Sequence, residues 1–245
     1  MKLRTLDELI CKDDPGWPIV LDWISDAKNK IEILPCSEPL RSDALLDTQV
    51  TTRSPMGAII YESGGLLIDH GWLRILGSGH PRLPRSLPDW TRTATGFGPC
   101  EAAPFVLIAD DVLGGFYALD AGALGEPGKI FYLAPDTLQW ENTEKGYSDF
   151  LYGFCFNGDL EDYYTPYRWT GWQEEVATLG GDEALSIAPP LCIQELNGIT
   201  RSIAERSRRP VPVAEAFSFA LYLGEQLASL PDGTVVELTV EHGDS

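Results

Sequence analysis

The chain has 245 residues, 44% hydrophobic and 22% charged, which is ordinary usage for a globular protein large enough to bury a core without a disulfide or metal staple. Its 37 Asp+Glu against 18 Lys+Arg give a net charge of −19, and this argues against phosphate backbones and anionic membrane surfaces, both of which require a basic footprint. The charge is compatible with a basic protein partner, because opposite fields steer encounter, and equally with a role in solubility alone.

In chain order, PGWPIVLDWISDAKNKIEIL reads as an amphipathic helix with Trp17, Val20, Leu21, Ile24, Ala27 and Ile31 at helical spacing. A second helix is expected within 39–50. SPMGAIIYESGG reads as a third, with Ser54 as cap, Pro55 in the first turn and Gly64 at the end. The period then changes. LLID and WLRIL are short strands joined by a tight Asp69-His70-Gly71 turn. Residues 77–104 are rich in Gly, Pro and Ser and read as one long connection, packed or functional. FVLIA, GFYAL and KIFYLA are three more strands. GYSDFLYGFCFNGD opens a helix with Ser148 as cap, Phe150, Leu151, Phe154 and Cys155 on one face and Gly158 as terminator. GWQEEVATL is a short helix, residues 212–230 form a longer one, and TVVELTV reads as a last strand. Helices, then strands, then helices predict an α+β fold, with a mixed or antiparallel sheet flanked by N- and C-terminal helices.

No constellation in the chain spells out a reaction, and no catalytic, cofactor or metal residue is assigned. Cys11, Cys36, Cys100, Cys155 and Cys192 are scattered and odd in number, so reduced thiols in a cytoplasmic protein are the simplest reading. The start of the chain lacks a signal-peptide apolar run, and no window approaches the ~18 apolar residues of a membrane span. GSGH at 77–80 reads as a turn, since PRLPRSLP follows it rather than a helix. Asp69 is expected to satisfy backbone N–H groups within its own turn, and Asp110, Asp111 and Asp120 to sit in turns. Arg74, Arg82, Arg85 and Arg92 form a locally basic stretch, and Arg201, Arg206, Arg208 and Arg209 a second. Ion pairs with the chain's own carboxylates are the expected use of both. Residues 136–183 carry eleven acids against two bases, interleaved with Trp140, Tyr147, Tyr152, Tyr163, Tyr164, Tyr167, Trp169 and Trp172. Such a segment either covers an aromatic core with solvated charge or presents aromatic anchors to a basic protein.

ESGGLLIDHGWLRILGSG, GGFYALDAGALG, KIFYLAPDTLQWE, GYSDFLYGFCFNGDL and SRRPVPVAEAF, in that order, resemble the signature blocks of the bacterial domain-of-unknown-function family 2625. That family transfers no activity or catalytic residue. Gly64 and Gly65 after a helix, the strand pair LIADDVLGGFYALD, the strand KIFYLAPD and a helix from near Ser148 with a buried Phe150 are also similar to the SUKH pattern over about residues 54–160, and the chain departs from it in the 77–104 insertion and the C-terminal extension. That resemblance implies a single α+β domain, with a SUKH-like core over 54–160, a helical extension over 161–245, and a toxin-immunity role. The resulting expectation is a non-catalytic, cytoplasmic protein that binds a basic, toxin-like partner, with no nucleic acid and no membrane involved. The alternative is an enzyme or small-molecule binder with an anion site around residues 69–92, built on Asp69, His70 and the arginines.

Overall fold

The computed structural model describes residues 3–98, 101, 103–193, 201–231 and 234. Seven strands form an antiparallel sheet in strict chain order: β1 (Ile31–Pro35), β2 (Ser63–Ile68), β3 (Leu73–Leu76), β4 (Phe105–Asp111), β5 (Phe116–Asp120), β6 (Ile130–Leu133) and β7 (Trp140–Asn142). The strands at FVLIA, GFYAL and KIFYLA are present, as is the hairpin at Asp69–Gly71. The α+β class is therefore correct, and the sheet is antiparallel throughout.

Short helices surround the sheet. The first are α1 (Leu6–Leu9), α2 (Trp17–Ser25), α3 (Leu40–Thr48) and α4 (Pro55–Glu62). The helix expected from Trp17 stops at Ser25, and Ile31 lies in β1 instead. Ser54 caps α4 as expected, accepting from Gly57 N at 3.1 Å. Gly64 does not end that helix. The chain passes straight from Glu62 into β2, and Gly64 sits inside the strand, where an added Cβ would lie 2.8 Å from Gly79 O. The glycine thus permits a close backbone approach.

The 77–104 connection is not structureless. Its first part packs along β2, with Ser78 N donating to Ser63 O at 3.0 Å and Gly79 N to Gly64 O at 3.1 Å. It then forms α5 (Leu87–Thr95), capped by Ser86 and closed by the left-handed Gly96. The proline-rich composition hid this helix, although Ser86 and a first-turn Pro88 are its start signals.

The segment after β7 begins with α6 (Tyr147–Asp149), capped by Gly146 rather than Ser148, and widens into a π-helical run, Phe150–Cys155. It continues through α7 (Asp159–Tyr164) and α8 (Trp172–Val176). The expected helical extension over 161–245 also contains a hairpin, β8 (Glu183–Ala188) with β9 (Ser207–Pro212), before α9 (Val213–Ala228). Arginine-rich SRRPVP lacked the alternation that marks a strand. The strand expected at TVVELTV lies outside the described residues apart from Thr234.

Strand parity divides the core. Phe116 packs on Trp90 of α5 and Phe217 of α9, whereas its neighbour Tyr117 packs on Phe150 and Phe154. One connected cluster of buried residues runs from Leu9 to Ala220.

Candidate functional site

The sharpest chemistry lies behind Tyr117. Asp111 closes β4, and its carboxylate is fully buried. Oδ1 accepts from the backbone N–H of Leu113 (2.8 Å) and of Gly115 (3.0 Å). Oδ2 accepts from the hydroxyls of Tyr132 and Tyr164, each at 2.7 Å, and the Tyr117 hydroxyl lies 2.8 Å from that of Tyr164. Gly115 is what admits this arrangement: an added Cβ would sit 2.2 Å from Tyr132 Oη and 2.4 Å from Asp111 Oδ2. Burial pushes the Asp111 carboxyl up, against the downward pull of its four donors. Burial first, and the Asp111 charge second, push the phenols of Tyr117, Tyr132 and Tyr164 well above their ordinary value.

This network fixes the floor of a pocket. Tyr117 and Tyr132 stack across β5 and β6 with ring centroids 4.4 Å apart. Together with Phe150, Phe154 and Tyr163 they line a cavity of about 360 Å³. Tyr163 stands edge-on to Tyr132 and to Phe154, at 6.1 and 5.8 Å, and remains 40% exposed. Glu141 and Asp159 share the lining with Lys145, so carboxylates outnumber ammonium groups. Along the 136–183 segment, Glu141, Glu144, Asp149, Asp159, Glu161, Asp162, Glu174 and Asp182 are exposed, and none of them forms an ion pair among the described residues. The other three acids of the 136–183 segment are committed. Asp136 accepts from Tyr167 (3.0 Å), Glu175 pairs with Arg208 (3.1 Å), and Glu183 accepts from Gly180 N (2.8 Å). Partial burial, and after it the neighbouring Asp136 charge, push the Tyr167 phenol up to about 12. In this segment Tyr164 and Trp169 are core, while Tyr163 and Tyr152 are exposed.

The arginines around 69–92 are taken up by the chain's own carboxylates and carbonyls. Arg74 is buried against Asp110 (2.7 Å) and holds the carbonyls of Glu183 (2.6 Å), Gly180 and Asp111. Arg85 shares Asp110 (2.7 Å) and reaches Gly181 O. Arg82 pairs with Glu32, and Arg92 with Asp47 and Asp89. Internal ion pairing was the expected use of these arginines, and it is the observed one. In the second stretch Arg208 pairs with Glu175, and Arg206 donates to the carbonyls of Pro189 and Pro190.

Two turn assignments need correction. Asp69 does not cap its own turn; its carboxylate pairs with Arg168. Asp110 is a buried anchor for Arg74 and Arg85 rather than a turn carboxylate, whereas Asp111 and Asp120 do serve turns, Asp111 accepting from Leu113 and Gly115 N and Asp120 from Gly122, Ala123 and Leu124 N. His70 is exposed and edge-on to Trp172 at 5.9 Å, while His80 Nδ1 accepts from Arg82 N. Among the described residues neither histidine bonds a serine, threonine or cysteine side chain, and no group of three His, Cys, Asp or Glu is placed to hold a metal. Among the same residues no helix is long and apolar enough to cross a membrane.

Residues 6–216 match the family described as "Protein of unknown function DUF2625". The chain is 47% identical over 202 residues to the "Putative uncharacterized protein YbfG" of Escherichia coli, covering 82% of this chain and 91% of that protein. It is 40% identical over 190 residues to an "Uncharacterized protein" of Haemophilus influenzae, covering 77% and 83%.

Proposed function

The chain belongs to the DUF2625 family of proteins of unknown function, and from that premise we propose that it is a non-catalytic binding protein for a basic protein. A lysine or arginine side chain of the partner enters the aromatic pocket. The observation that supports this reading is the pocket itself: five aromatic rings and two carboxylates line one cavity of side-chain size. Ring faces attract a cation through their quadrupole, and neighbouring acids add a favourable field. Glu141 and Asp159 at the pocket, with the chain's overall negative charge, would steer the partner in. The similarity of residues 54–160 to SUKH proteins is what would make that partner a toxin, and a cytoplasmic location belongs to the same reading.

A short arginine-rich peptide titrated by calorimetry tests it. The wild type is expected to bind in a saturable way. Glu141→Gln with Asp159→Asn is expected to weaken binding about tenfold, roughly one lost charge-assisted contact. The charge-matched pair Asp22→Asn, on α2, with Asp26→Asn, at its C-terminal end, is expected to change it little. Equal losses from both pairs would mean that the peptide reads net charge alone, and the pocket reading would fall.

A further inference from the structure

A second cleft, independent of the aromatic pocket, lies beside the Asp69-His70-Gly71 turn and has a volume of about 520 Å³. Lys28 and Lys30, from the link between α2 and β1, line it. Both are exposed, and neither forms an ion pair among the described residues, which is unusual in a chain where acids outnumber bases two to one. Arg168 lines the same cleft and is held rigid. Its guanidinium carbon lies 4.2 Å from the ring centroid of Trp172 and 5.1 Å from that of Trp72, while Nη2 pairs with Asp69. Its Nε is buried and has no acceptor. Thr170 and Gln173 add neutral polar groups. The acids lining the cleft are Asp69, already engaged by Arg168, and Glu161. Three cations therefore meet one free carboxylate.

The turn also carries strain. Asp69 (φ 50°) and His70 (φ 63°) both adopt the left-handed conformation, which glycine fills at lower cost than histidine. Two exposed lysines act as point charges, and the fixed Arg168 guanidinium supplies a planar donor edge.

We propose that this cleft binds the phosphate group of a small phosphate monoester, with Lys28, Lys30 and Arg168 as its ligands. The ring of Trp172 provides an adjoining flat wall for the rest of that molecule. Calorimetric titration with phenyl phosphate and, separately, with inorganic phosphate tests this. Saturable binding of phenyl phosphate with a Kd at or below about 1 mM is expected. Tighter binding of the ester than of inorganic phosphate assigns the extra affinity to the tryptophan wall. Equal binding assigns all of it to the phosphate, and supports the site as well. Lys28→Gln with Lys30→Gln, both exposed and outside the core, is expected to raise Kd about tenfold or more. Lys12→Gln with Arg53→Gln, equal in charge and elsewhere on the surface, is expected to leave it unchanged. No saturable heat from either compound at about 10 mM, or an equal loss in the control pair, would overturn the proposal. Loss of arginine-peptide binding would not touch it, because the two sites share no lining residue.

Discussion

Asp111 accepts four hydrogen bonds in a place where no water reaches, so each donor removed leaves a cost rather than a neutral exchange. Tyr164→Phe is expected to lower stability by about 1 kcal/mol, and Asp111→Asn by about 3 kcal/mol, since the amide strands two phenol donors. Urea unfolding of both single variants and the double would give the coupling between them. The pH dependence has a definite sign. Because the folded carboxyl titrates above its unfolded value, its contribution is full below the unfolded value and is lost as pH rises through the folded one. The stability gap between wild type and Asp111→Asn should therefore narrow, not widen, from acid towards neutrality. The buried phenols behave analogously at the other end: Tyr117, Tyr132 and Tyr164 should ionise only with alkaline unfolding, which a phenolate absorbance titration would register. Asp110 faces Arg74 and Arg85 with almost no solvent, and Asp110→Ala should cost about 3–5 kcal/mol by leaving buried cations unpaired.

At the scale of elements, the two turns of the sheet carry opposite lessons. The β4–β5 turn uses Gly115 for space, so Gly115→Ala should displace Tyr132 from Asp111 and destabilise by about 3 kcal/mol or more, read by thermal unfolding. The β2–β3 turn instead tolerates strain at His70, and His70→Gly should stabilise the protein by about 1 kcal/mol. Much of this was legible in the sequence. Alternation and turn residues gave the hairpin at Asp69–Gly71, the strands through Leu133 and the cap at Ser54. What escaped was decided by tertiary contact. Ile31 fits a helical stripe, yet it pairs with Ile68 as an edge-strand residue. Ser86 and Pro88 open α5 inside a stretch whose prolines and glycines read as loop. The 207–212 strand is polar because Arg208 spends its charge on Glu175 and on the carbonyls of Ile203 and Arg206, a use that no local pattern announces.

For the whole molecule, the excess of 19 negative charges is not spread evenly in effect. Most arginines are consumed by internal carboxylates and carbonyls, while eight acids of the 136–183 segment are exposed without an ion pair among the described residues, two of them, Glu141 and Asp159, in the lining of the aromatic pocket. The sequence showed the acids and aromatics interleaved, and Phe150, Phe154 and Tyr163 fall within that stretch. Tyr117 and Tyr132 could not be placed beside them without the register of β5 on β6, because only cross-strand pairing makes them neighbours. The central claim is that these rings, rather than bulk charge, recognise a basic side chain. Peptide titration of Tyr163→Phe and Tyr163→Ala tests it most directly, since Tyr163 is part exposed and neither change alters the charge near neutral pH. The account predicts that Phe retains the wild-type Kd and that Ala raises it by about tenfold, the loss of one partly desolvated cation–ring contact. Unchanged affinity in Tyr163→Ala would contradict it.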